Sequence, residues 1–152
     1  MNYLLDTNVV SEWTRPLPEP GVVRWLADAD EDRVFLSVMT IAELQRGIDL
    51  LAAGPKRDGL NRWLADDLLM RFEGRVLDVT RDVAHRWGTL SAEAQRKGRP
   101  LSAMDAFFAA TAAVHGLTLV TRNTGDFEAT GITLFNPWAA EPSYPGSQLR
   151  RQ

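Results

Sequence analysis

The sequence predicts an α/β fold of three layers, in which helices cover both faces of a central, mostly parallel sheet of four to five strands. Five short segments are rich in aliphatic and β-branched residues and lack strict polar alternation, which is typical of strands buried on both faces. Longer segments with apolar residues at three- and four-residue spacing separate them, which is typical of helices. Short strands separated by helices indicate a mostly parallel sheet with helices on both sides.

The predicted elements alternate along the chain. The strands are 2–5, 33–37, 75–79, 117–120 and 132–135, and the helices cover 19–29, 38–53, 55–72, 81–97 and 102–115. The sequence shows no linker or repeat before residue 136, so residues 1–138 are predicted to form one domain. Residues 139–152 are rich in proline and end in two arginines and a glutamine, and we expect a flexible tail there.

Composition excludes several classes of protein. With 45% hydrophobic and 24% charged residues, the chain has the composition of a globular protein, and no apolar run approaches the length of a membrane span. It has no cysteine, which excludes disulfides, thiolate zinc sites and thiol nucleophiles. The N-terminus lacks a secretory signal, so a cytoplasmic location is expected. The net charge of −3 argues against a broad DNA-binding surface.

The first candidate functional residue is Asp6, which directly follows the first predicted strand. Ligands of open parallel sheets bind beyond the carboxyl ends of the strands, so an acid at this position can belong to a site. The alternative is structural: Asp6 can cap the start of a helix, and Thr7 or Asn8 can do the same.

Three further acids occupy comparable positions. Glu43 lies in the helix after the second strand, Asp105 is the only acid of the apolar helix 102–115, and Asp126 follows the fourth strand by a short loop. All can face the same sheet edge as Asp6. Each also has a structural alternative, because acids favour helix starts, Asp105 stands three residues after Ser102 as in a capping box, and Asp126 can cap a turn.

Carboxylates that converge repel one another unless a cation neutralises them, so this pattern predicts a divalent metal site. Oxygen ligands suit Mg²⁺ or Mn²⁺. Zinc is not expected, because His85 and His115 are far apart in sequence and form no metal-spaced pair. His115 is predicted to end a helix before Gly116.

Four segments carry a resemblance to a known family. The stretches LLDTNVVSE, TIAELQRG, SAMDAFFAATA and LVTRNTGDF together resemble the PIN-domain ribonucleases, specifically the VapC-type toxins of bacterial toxin–antitoxin pairs. The closing FNPW resembles the FitB-like branch of that group. The resemblance extends from residue 1 to about residue 138, and it is the combination of motifs that is specific, because each alone is weak.

The resemblance implies roles for individual residues. It assigns Asp6, Glu43 and Asp105 as metal ligands. It leaves the fourth position open between Asp126 and Asn123, of which we favour Asp126, directly or through water, with Asn123 as a neutral group behind the ligands. Thr7 and Asn8 are expected to orient Asp6 by hydrogen bonds.

The implied activity is Mg²⁺- or Mn²⁺-dependent hydrolysis of RNA phosphodiester bonds, without a covalent nucleophile. Glu43 or Asp105 could also assist proton removal. Four basic elements could hold RNA phosphates: Arg122, Arg46, Arg15 and the stretch 96–100.

The resemblance also implies partners: a second copy in a homodimer, and a cognate antitoxin through which any contact with DNA would be made. The helices around 19–29 and 38–72 offer apolar side chains to such a partner or to the core, namely Trp25, Leu60, Trp63, Leu64 and Leu68. Trp13 and Trp87 are candidates for an exposed apolar patch.

Two other functions are alternatives. A haloacid-dehalogenase phosphatase would need a second aspartate where this chain has Asn8, and a non-catalytic binding module could retain a PIN fold.

Overall fold

A computed structural model describes residues 1–139 and contains a five-stranded sheet in which all neighbouring strands are parallel. The strands are β1 (Tyr3–Leu5), β2 (Val34–Ser37), β3 (Val76–Leu77), β4 (Thr118–Val120) and β5 (Leu134–Phe135), in the order β3-β2-β1-β4-β5. The predicted fold class is therefore confirmed. The tail predicted for 139–152 lies, beyond its first residue, outside the described residues.

Eight α-helices accompany the strands in residues 1–139. They are α1 (Thr7–Ser11), α2 (Pro20–Asp28), α3 (Val38–Asp49), α4 (Pro55–Arg62), α5 (Leu69–Arg71), α6 (Arg81–Arg96), α7 (Ala103–His115) and α8 (Thr124–Phe127). A π-helical segment, Trp63–Leu68, joins α4 to α5. The predicted helix 55–72 is therefore a continuous helical segment whose central part is π-helical. The sequence did not predict α1 and α8, because five and four residues are too few to show helical periodicity.

Two hydrophobic clusters lie on opposite faces of the sheet and make the three layers. Adjacent residues of a strand point to opposite faces, and Leu5 accordingly packs in the cluster formed with α1 to α5, while Leu4 packs in the cluster formed with α6 and α7. Leu64 and Leu68 are buried in the first cluster, and Trp25, Leu60 and Trp63 pack against it. These side chains therefore serve the core.

The predicted exposed patch at Trp13 and Trp87 is wrong, because both rings are half-buried against partners within the chain. Trp13 lies 6.1 Å from Phe72, centroid to centroid. Trp87 lies 5.5 Å from Phe107, and its indole N–H donates to the carbonyl of Ala103 at 3.0 Å. An indole combines a large apolar surface with one donor, and in Trp87 the fold itself provides a partner for both.

The strand order reverses between β1 and β4. From β1 the chain adds β2 and β3 on one side, and then returns to place β4 and β5 on the other side. In open parallel sheets such a reversal opens a crevice at the carboxyl ends of the two central strands. Asp6 directly follows β1 and Thr121 directly follows β4, so both residues lie at this crevice. No helix within residues 1–139 is long and apolar enough to cross a membrane.

Candidate active site

Asp6 is a buried carboxylate, only 7% exposed, that performs the capping role and also faces the crevice. Its Oδ1 accepts a hydrogen bond from the backbone N–H of Thr7 at 2.7 Å, which caps α1. Its Oδ2 accepts from the hydroxyl of Thr121 at 2.8 Å and, more weakly, from the Asn8 side-chain amide at 3.5 Å. The structural and the functional interpretations of Asp6 are therefore compatible.

Burial raises the pKa of the Asp6 carboxyl from 3.8 to about 6. The hydrogen bonds from Thr121 and Thr7 favour the charged form and oppose this rise, while the negative charges of Asp105 and Glu43 add to it. Asp6 therefore shares its surroundings with two other acids, although these are 99 and 37 residues away in the sequence.

Glu43 is held by the threonine next to Asp6. Ser37 caps α3 by accepting from the N–H of Met39, and this helix carries Glu43 towards β1. The hydroxyl of Thr7 donates to Glu43 Oε1 at 2.7 Å, and the buried hydroxyl of Thr40 lies 3.1 Å from Thr7 Oγ1. Thr7 thus links the two predicted ligands Asp6 and Glu43 by hydrogen bonds, through its backbone N–H to Asp6 and its hydroxyl to Glu43.

Asp105 lies in the first turn of α7, where the Ser102 hydroxyl accepts from its backbone N–H at 3.1 Å. The carboxyl is half-buried, and burial raises its pKa; the charges of Asp126 and Glu43 add to the rise, and a hydrogen bond from Ser102 opposes it. The capping alternative is therefore realised by Ser102 and the backbone. The carboxylate of Asp105 still faces the other acids.

Asp126 belongs to α8 and is exposed. It lines, with Asp105, a cavity of about 320 Å³. Asn123 is the residue before α8; its side chain makes no capping bond, and its backbone N–H donates to the Thr121 hydroxyl at 3.1 Å. The structure thus brings Asp126 beside Asp105, whereas the assignment of the fourth ligand stays a prediction.

The three predicted phosphate-binding arginines differ in their surroundings. Arg15 pairs with the buried Glu12 at 2.9 Å, so part of its charge serves the fold. Arg122 lies over the Trp138 ring at 5.6 Å, and its backbone N–H is 3.4 Å from Asn8 Oδ1. Arg46 is exposed in the last turn of α3.

Sequence reasoning missed Glu12 and Thr121. Glu12 is 2% exposed and accepts from the Glu19 N–H at 2.8 Å as well as from Arg15, so it fixes the turn that leads into α2. Thr121 gives Asp6 its shortest side-chain hydrogen bond. The available signal for Thr121 was its place directly after β4, at the same edge as Asp6.

The donor set fits a hard divalent cation in chemistry, since the acids and the surrounding threonines offer only oxygen. Within residues 1–139, however, no three Asp, Glu or His side chains already stand in a metal-holding arrangement. The assignment of these acids as metal ligands therefore stays a prediction. His85 and His115 are exposed, and His115 ends α7 before Gly116, whose φ is 63°.

Comparison with known proteins identifies the class. The family model of the PIN domain matches residues 3–132. Toxin FitB of Neisseria gonorrhoeae (strain ATCC 700825 / FA 1090) is 42% identical over 135 residues, which cover 89% of this chain and 97% of FitB. The VapC ribonuclease Y4jK of Sinorhizobium fredii (strain NBRC 101917 / NGR234) is 36% identical over 135 residues, with 89% and 96% covered.

A solved structure agrees. The structure of FitAB bound to an IR36 DNA fragment contains a chain that superposes with a TM-score of 0.88 at 39% identity, covering 93% of this chain and 99% of that one. This chain therefore belongs to the PIN-domain family, in the group that contains FitB and the VapC ribonucleases. Family membership removes the haloacid-dehalogenase phosphatase from the candidate functions.

Proposed function

We propose that this protein is a Mg²⁺- or Mn²⁺-dependent endoribonuclease that hydrolyses RNA phosphodiester bonds and acts as the toxin of a toxin–antitoxin pair. The observation that supports it most strongly is the convergence of four acids from separate elements: Asp6 after β1, Glu43 on α3, Asp105 on α7 and Asp126 on α8. Relatives named as a toxin and as a ribonuclease support the same function.

In this proposal Asp6, Glu43 and Asp105 hold the cation, and Asp126 completes the set directly or through water. A divalent cation bound to such carboxylates supplies Lewis-acid stabilisation of a phosphodiester and activates water for attack on it. Its charge would also offset the burial and the neighbouring negative charges that raise the pKa of Asp6 and Asp105.

The remaining residues position these groups. The hydroxyl of Thr7 orients Glu43 and the hydroxyl of Thr121 orients Asp6 by hydrogen bonds. The side-chain amide of Asn8 also donates to Asp6, and the backbone N–H of Asn123 donates to the Thr121 hydroxyl. Either Glu43 or Asp105 would take up the proton of the attacking water. Arg122 and Arg46 are exposed and offer cations to the phosphates that flank the cleaved bond.

The proposed partners are an antitoxin that inhibits the site, and a second copy of the chain in a homodimer. A chain similar to this one occurs in the structure of FitAB bound to an IR36 DNA fragment, and we propose that this protein contacts DNA through its antitoxin. The net charge of −3 agrees with this division, because a chain that coats DNA is expected to be basic. The cytoplasmic location stays a prediction.

The test is cleavage of total cellular RNA by purified, antitoxin-free protein with Mg²⁺ or Mn²⁺, compared with EDTA. We expect discrete products, and a loss of rate on the order of 100-fold or more in Asp105→Asn. The matched control is Asp66→Asn, which removes the charge of an exposed acid in the π-helical segment. Folded protein that yields no products with either metal would instead indicate a non-catalytic binding module.

A further inference from the structure

A cavity of about 320 Å³ opens beside the carboxylates and is bordered by a cation. The cavity is lined by Arg99, Pro100 and Leu101 from the turn between α6 and α7, and by Asp105, Gly125 and Asp126 from α7 and α8. A ligand in this space would meet one arginine and two of the four acids at the same time.

The backbone at Arg99 is fixed by the way α6 ends. Gly98 adopts a left-handed conformation with φ of 70°, and its N–H donates to the carbonyl of Gln95 at 3.0 Å. The N–H of Arg99 donates to the carbonyl of Ala94 at 2.9 Å, which completes a Schellman motif. Pro100 then restricts the following backbone, so the Cα of Arg99 has little freedom.

The side chain of Arg99 is also anchored but retains free donors. One guanidinium nitrogen, Nη2, donates to the carbonyl of Gly125 at 2.9 Å, and the side chain is still 53% exposed. A guanidinium carries five N–H groups, so several remain available for a ligand in the cavity. The Glu128 carboxylate lies 3.9 Å from Arg99 Nη2 and is itself exposed. Such an exposed ion pair competes only weakly with a ligand for the guanidinium.

We propose that this cavity is a ribonucleotide subsite, in which one nucleotide next to the cleaved bond docks and Arg99 binds its phosphate. The inference rests on the proposed ribonuclease function and specifies how its substrate is held. The volume lies at the small end of ligand pockets, which suits a single nucleotide. Leu101 and Pro100 offer apolar surface to the ribose or base, and Asp105 and Asp126 border the side where the cleaved phosphate would lie.

The probe is adenosine 3′,5′-bisphosphate, a single nucleotide with a phosphate at each end and no internucleotide bond to cleave. Binding is measured by calorimetry in Mg²⁺ for the wild-type, Arg99→Gln, Arg99→Lys and Arg86→Ala. Arg99→Gln removes the charge and leaves the backbone hydrogen bonds of the turn at Gly98 in place. Arg86 is exposed on α6 and does not line this cavity. We expect about tenfold weaker binding in Arg99→Gln, a smaller loss in Arg99→Lys and no change in Arg86→Ala.

Cleavage kinetics give the second readout. For a single-stranded RNA, Arg99→Gln is expected to raise KM about tenfold with kcat within twofold, and to reduce the slope of log KM against log salt by about 0.7, the value for one lost phosphate contact. A purely structural role would lower the melting temperature without changing that slope.

The outcomes separate the two proposals. Bisphosphate binding and KM that are unchanged in Arg99→Gln would overturn the subsite, while cleavage that depends on Asp105 would leave the ribonuclease function standing. Equal losses in Arg99→Gln and Arg86→Ala would also overturn it, because they would indicate general charge attraction. Arg99-dependent binding by a protein that cleaves no RNA would support the nucleotide subsite and contradict the ribonuclease function.

Discussion

The carboxylate of Asp6 caps α1, accepts a buried hydrogen bond from Thr121 and lies near two further acids. The first two contacts stabilise the fold, whereas burial and the neighbouring charges oppose ionisation. A group in this position costs stability when it is charged and no cation is present. The proposed function needs that charge, so Asp6 is a residue at which stability and activity are expected to conflict.

The pH dependence of stability tests this conflict. Because the folded-state pKa of Asp6 is about 6 and its ordinary value is 3.8, the folded protein holds the proton more tightly, and stability is lost as the pH rises through this window. The loss is about 3 kcal/mol for a shift of about two pKa units. We expect Asp6→Asn, measured by urea denaturation in EDTA between pH 4 and pH 7, to gain stability relative to the wild-type as the pH rises. If the free energy of unfolding changes with pH in the same way in both proteins, the prediction is refuted.

The hydrogen bond from Thr121 to Asp6 can be tested by substitution, with a matched control in α7. Thr121→Val removes the 2.8 Å bond to Asp6 Oδ2, and we expect about 2 kcal/mol of destabilisation at pH 7 and a clear loss of RNA cleavage. Thr111→Val removes an equally buried hydroxyl that donates to the Phe107 carbonyl at 2.7 Å, away from the acids, and cleavage should be retained. Equal cleavage by the two variants would show that Thr121 has no role at the site.

At the scale of elements, the sequence predicted the sheet and the main helices because their patterns are long or strongly apolar. The parallel arrangement then predicted the shared edge, and with it the proximity of Asp6, Glu43 and Asp105. It did not predict α1, α8 or the π-helical segment, because short helices show no period and one widened turn does not alter the apolar stripe. Thr121 was missed because a threonine after a strand has the appearance of strand continuation.

The segment after β5 braces the loop that carries Thr121. Asn136 Nδ2 donates to the Arg122 carbonyl at 3.3 Å, Asn136 Oδ1 accepts from the Trp138 N–H at 2.9 Å, and the Trp138 ring lies under the Arg122 guanidinium. We expect Asn136→Ala to increase amide hydrogen exchange of Arg122 and Asn123 about tenfold and to leave α6 unchanged. Unaltered exchange in that loop would show that β4 alone holds it in place.

Across the protein, the distribution of charge matters more than the net charge. A net charge of −3 is close to neutral for 152 residues, yet four acids face one edge of the sheet, where a polyanionic substrate would have to approach. Without a cation that edge repels RNA. A divalent ion therefore has two expected effects, on the stability of the fold and on access of the substrate, and the first can be measured without any RNA.

Thermal unfolding with and without metal isolates that first effect. If the carboxylates bind Mg²⁺ with a dissociation constant of about 1 mM, then 10 mM Mg²⁺ stabilises the folded state by about 1.4 kcal/mol, or a few degrees in Tm. We expect this rise in the wild-type and in Asp66→Asn, and its loss in the double variant Glu43→Gln/Asp105→Asn, since two ligands are then neutral. The double variant should also start from a higher Tm in EDTA, because removing two charges relieves the repulsion on Asp6. An equal rise with Mg²⁺ in all three proteins would mean that the ion binds elsewhere, and the assignment of these carboxylates as metal ligands would have to be abandoned.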